Sequence, residues 1–208
     1  MDVVQAIILR EPWEVQPRLL ELNLSKGKLL QVRDIAVHEG SSATAFHAAN
    51  ASGTFSYHHG IWALRDRFVG DDWVVDRTNG VETIRNDKLK VIIGFCNVDL
   101  ACVDAHRPQP RTRKGSGSER VTDVVGLFDD VSLPHYVPRP KGEWQFFYVM
   151  VDENGAAELT RPVVKGGKFI ATIERIYLTY GSDDDGTGIK QDAPDSIIDF
   201  DPQIARKA

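Results

Sequence analysis

One apolar run sets the terms for this fold. Val91-Ile92-Ile93-Gly94-Phe95-Cys96 carries small or apolar side chains at consecutive positions. Neighbouring side chains of a strand point to opposite faces, so a strand here has to be buried on both. Such a strand belongs inside a sheet, with a covering layer on each side. The pattern predicts it over 89–98, entered from a turn at Asn86-Asp87.

The flanking segments supply the rest of that sheet. Trp73-Val74-Val75-Asp76 and Val81-Glu82-Thr83-Ile84 are strand-like and separated by Thr78-Asn79-Gly80, so 72–85 is predicted as a hairpin. Further on, 144–151 reads as a strand that is apolar on both sides, with a turn after it at 152–155. Strands over 157–164 and 168–178 are joined at Gly166-Gly167, which makes this half an antiparallel meander. Between the halves, 121–130 fits strand or helix, and Pro134, Pro138 and Pro140 mark an extended connector.

The N-terminal part reads differently. Residues 2–10 form a short apolar segment, suited to a first strand or a docking arm, and Pro12 and Pro17 punctuate the next stretch of chain. Ser25 is placed to cap a helix running to about His38, with Leu29, Val32 and Ala36 on its apolar stripe. The Ala-, Ser- and Gly-rich stretch 39–54 reads as a loop. A helix of about ten residues then carries Ile61, Leu64, Phe68 and Val69 on one side and ends at Gly70. The fold class expected is α+β: a mixed or mostly antiparallel sheet with N-terminal helices packed on it. Residues 1–181 read as one domain, and 182–208 as an acidic, flexible tail.

With 208 residues the chain is long enough for a real core. Its net charge of −5 argues against a surface wholly devoted to nucleic acid, but leaves room for a local basic patch. Its two cysteines, Cys96 and Cys102, lie in apolar surroundings and read as buried free thiols of a reducing compartment. No apolar run approaches the roughly 20 residues needed to span a bilayer, and no membrane contact is expected. The expectation is a cytoplasmic protein.

The segment after the central strand has the most distinctive chemistry. Arg107, Arg111, Arg113, Lys114 and Arg120 are interleaved with Gly115, Ser116, Gly117 and Ser118, and Glu119 is the one acid among them. Such a loop holds phosphates by charge with little base selectivity, and its partner would be DNA or RNA. Aromatic side chains on a sheet beside it would stack bases of single-stranded DNA. The acidic tail would compete for the same charge. A solvated, purely solubilising loop is the competing interpretation.

Two other constellations suit a metal ion. Glu82 and Asp99, with Asp76 and Asp104 near them and Lys88 and Lys90 between, fit a divalent metal that activates water. Their spacing loosely resembles metal-dependent nucleases of the restriction-enzyme type. The resemblance implies Glu82, Asp99 and Asp104 as catalytic acids using Mg²⁺ or Mn²⁺. The compact Glu-x-Lys or Asp-x-Lys element is missing, and Arg85 stands where a lysine is wanted. Cys102, Asp104 and His106 alternate, so on a strand they would share one face as a metal triad. The pair His58-His59 precedes the predicted start of the second helix. Three readings remain open from the residues: a nucleic-acid-associated accessory protein, a metal-dependent nuclease, and an assembly subunit forming a homo-oligomer without nucleic acid.

Overall fold

The computed structural model describes residues 6–116, 118 and 144–181. The expected 121–130 element, the proline connector and the acidic tail lie outside them. Among the described residues, three long helices pack on one face of a seven-stranded mixed sheet of order β1-β7-β6-β5-β4-β3-β2. The strands are β1 (Ile7–Leu9), β2 (Val74–Asp76), β3 (Thr83–Asn86), β4 (Val91–Asn97), β5 (Gln145–Val151), β6 (Ala157–Lys165) and β7 (Lys168–Thr179). The β4–β5 and β1–β7 pairs are parallel, and the remaining pairs are antiparallel. This is the α+β class expected from the sequence.

The central strand behaves as its run of apolar residues requires. Val91, Ile93 and Phe95 join Phe147, Val149 and Val151 of β5 beneath the helices. Ile92 and Cys96 join Phe146, Tyr148 and Met150 in a second core on the opposite face. None of these three helices contributes to that second core. The chain after β4 packs on it through Val98, Ala101 and Cys102, beside Val164 and Phe169 near the β6–β7 turn.

The helices depart most from the expectation. Helix α1 (Pro12–Glu21) spans the segment that two prolines were expected to interrupt. Pro12 occupies a first-turn position, where its missing N–H costs nothing, and Glu11 and Glu14 form a reciprocal capping box. Pro17 lies inside the helix, on its exposed side, and gives up one hydrogen bond. Burial of Val15 and Leu19 offsets that loss, as does the two-point ion pair from Arg18 to Glu174 at 2.7 and 3.0 Å. Helix α2 (Lys26–Ser41) is capped by the Ser25 hydroxyl as expected, and runs three residues further than about His38.

Helix α3 (Ala51–Phe68) begins ten residues earlier than expected at Ile61, so His58 and His59 lie within it. Small residues make its first turns poor helix formers. Tertiary contacts override this: the Asn97 amide donates to the Gly53 carbonyl at 2.8 Å, and the Ser56 hydroxyl donates to Asn97 Oδ1 at 2.8 Å. Gly60 then lets the helix lie directly on the Phe95 ring, since a Cβ there would come 2.6 Å from it.

Candidate nucleic-acid interface

Residues 98–114 form a strap over the second core, fixed at several points. Beyond Gly94 the β3 neighbour runs out, and the strap takes its place beside the end of β4. Val98 and Pro110 form an antiparallel bridge, the Asp99 amide donates to the Gln109 carbonyl at 3.0 Å, and the Arg111 amide donates to the Asn97 carbonyl at 3.1 Å. Further along, the Lys114 amide donates to the Gly167 carbonyl at 3.1 Å, and Gln109 Nε2 donates to the Phe169 carbonyl at 3.0 Å.

A buried ion pair anchors the strap's first half. Glu158 and Arg175 meet at 2.7 and 3.0 Å on the sheet face. Glu158 also accepts from the Cys102 amide at 2.7 Å and the Thr160 hydroxyl at 2.5 Å. Arg175 donates to the Val103 and His106 carbonyls at 2.9 and 3.0 Å. Both partners of the pair are thus hydrogen-bonded beyond each other, which is the condition for a buried pair to be tolerated.

That anchoring explains the fate of the expected metal triad. The backbone at 101–106 is a loop, and Cys102 has a positive φ of 55°. Its thiol donates into the sheet, to the Ala157 and Thr179 carbonyls, and burial pushes it well above the usual thiol range. Asp104 faces Arg10 at 2.6 Å and the Tyr177 hydroxyl at 3.0 Å, and the Arg10 hydrogen bond holds its carboxyl below the usual range. His106 reaches Asp99 at 3.0 Å. With no strand, the alternation that would align the three side chains is lost.

The acids of the nuclease reading are likewise engaged. Glu82 holds Arg65 and Arg77, and the Arg65 hydrogen bond lowers its pKa. Burial opposes ionisation of Asp99, yet the Gln109 and Leu100 amides and His106 hold its carboxyl below the ordinary range. Asp76 is buried and accepts from Thr78, Thr83 and Arg85. Among the described residues, no group of three or more His, Cys, Asp or Glu side chains comes together to hold a metal ion.

The basic residues divide by environment. Arg107 and Arg113 are exposed and make no ion pair among the described residues. Arg111 is paired with Glu153. Lys114 turns inward, its Nζ 4.6 Å from the centre of the buried Tyr148 ring. Burial works against that ammonium, but Cys96, Tyr148 and Tyr57 around it outweigh the effect and hold its pKa above the ordinary lysine value. Arg120 lies outside the described residues.

Sequence reading missed two cations, Lys165 and Lys168. Both are exposed at the β6–β7 turn, which folds against Arg113 and Lys114. The Lys-Gly-Gly-Lys pattern marked a turn, but nothing local tied it to a segment some fifty residues earlier. The aromatic residues of β5 are buried. Among the described residues the exposed ones are Trp13, Phe46, Trp62 and Tyr180, none of them on the strap.

A cleft of about 150 Å³ opens at the carboxyl ends of β4 and β5, between α2 and α3. Asn97, Arg111, Asp152 and Glu153 supply its polar rim. Two carboxylates face one guanidinium there, so the cleft does not extend the basic surface. No described helix is long and apolar enough to cross a membrane. No protein-family model, no curated protein and no solved structure matches this chain.

Proposed function

We propose that this chain is a nucleic-acid-associated accessory protein that grips phosphate backbones through the strap. The observation that carries this reading is the state of Arg107 and Arg113. Both guanidinium groups are exposed, and no carboxylate neutralises them among the described residues. They stand on a backbone already ordered by hydrogen bonds to β4 and to the β6–β7 turn, so little ordering entropy is lost on binding. Arg111 joins them when phosphate displaces Glu153. Contacts of this kind position a nucleic acid without reading its sequence.

Neutralising both arginines as Arg107→Gln and Arg113→Gln tests the reading. Binding of short DNA and RNA oligonucleotides would be monitored by fluorescence anisotropy across a salt series. Two lost phosphate contacts should make the log–log salt slope shallower by about 1.4 for single strands and about 1.8 for duplex. Unchanged affinity in the variant, or no binding by the native chain, overturns the proposal.

A further inference from the structure

We infer that the β6–β7 turn is the second half of this phosphate-binding surface, with Lys165 and Lys168 as its contacts and Gly167 as the residue that positions it. This inference rests on the reading above and adds a segment to it. Lys165 and Lys168 are directly opposite each other in the β6–β7 register. Like charges placed opposite in a strand pair destabilise it. Both are exposed, and neither has a carboxylate partner among the described residues. The same turn is docked on the backbone of Arg113 and Lys114, which joins its lysines to the basic strap. A polyanion lying across both segments would relieve the repulsion.

The docking is tightly specified. Gly166 and Gly167 have φ of 61° and 73°, a region that side chains rarely adopt. A Cβ at Gly167 would sit 2.9 Å from the Lys114 carbonyl oxygen and 3.6 Å from the Arg113 Cβ. The Gly167 carbonyl also accepts the Lys114 amide, while Val164 and Phe169 on either side of the turn are buried. The turn is therefore seated on the strap, and the spacing between its lysines and the arginines is set by that seat. Cations spread over two adjoining exposed segments suit an extended phosphodiester chain better than a small free anion.

The test compares three variants in the full chain, using single-stranded and duplex oligonucleotides and poly-glutamate as probes. Lys165→Ser with Lys168→Ser should weaken oligonucleotide binding and flatten the salt slope by about two contacts, as the arginine pair does. Lys165→Arg with Lys168→Arg should restore both. Gly167→Ala should weaken binding with every charge retained, because the turn must lift from the strap. If the serine pair binds like the native chain while Arg107→Gln and Arg113→Gln still weaken binding, this inference fails and the strap reading stands. If neither pair matters, both fall. Equal affinity for poly-glutamate overturns phosphate as the recognised group.

Discussion

Gly60 shows how a single missing side chain holds the layers together. Replacing it with alanine gains about 1 kcal/mol of helix propensity. The added methyl group, however, collides with the ring of the fully buried Phe95, which would have to shift. Overpacking of this kind costs about 1–3 kcal/mol, so Gly60→Ala should lower the urea midpoint, with the slope unchanged. Lys114 offers a different separation. Its ammonium lies over the buried Tyr148 ring, whereas Arg113 is exposed. Lys114→Met should therefore leave the salt slope of oligonucleotide binding intact, whereas Arg113→Gln should flatten it. Cys96 and Cys102 are both buried, and burial raises the pKa of each. Neither thiol should react with a disulfide reagent until the chain is unfolded.

The strap depends on a buried ion pair beneath its first half and on the Asp99 carboxylate that ties Asp99 to Gln109. Glu158 and Arg175 are almost fully buried, at 0% and 3% side-chain exposure, so removing one partner strands the other. Glu158→Gln should cost about 3–5 kcal/mol in chemical denaturation. It should also speed exchange of the Arg111 amide, which reports strap release. Asp99 gives the strap a pH dependence. Its folded pKa is depressed, so its contribution is fully present above the unfolded value of about 3.9 and is lost as pH falls through the folded value. Protection of the Gln109 amide should track that course. Protection that stays constant as the pH falls through that range would rule out Asp99 as the latch.

Across the molecule, layering arises from the double-faced strand. Both faces of β4 and β5 had to be covered: helices pack on one, and the strap packs on the other beside Val164 and Phe169 of β6 and β7. The hairpins, the capped α2 and the order of the late strands were legible because each depends on neighbours within a few residues. Ser25 at a helix start, Asn-Gly and Gly-Gly at turns, and the continuous apolar run of β5 are local signals. The candidate site was half legible for the same reason. A cluster of arginines is visible in one segment, but the inward course of Lys114 and the arrival of Lys165 and Lys168 are not. The strand periodicity assumed for Cys102, Asp104 and His106 failed because a buried carboxylate from β6 captured the Cys102 amide. The amino-acid order alone settles which segments prefer to be strand or helix, and that both faces of the central strand are apolar. Only tertiary packing decides that prolines and glycines are overruled in α1 and α3, and which cations stand free. Those outcomes depend on contacts between residues far apart in the chain, where burial and desolvation outweigh local preference.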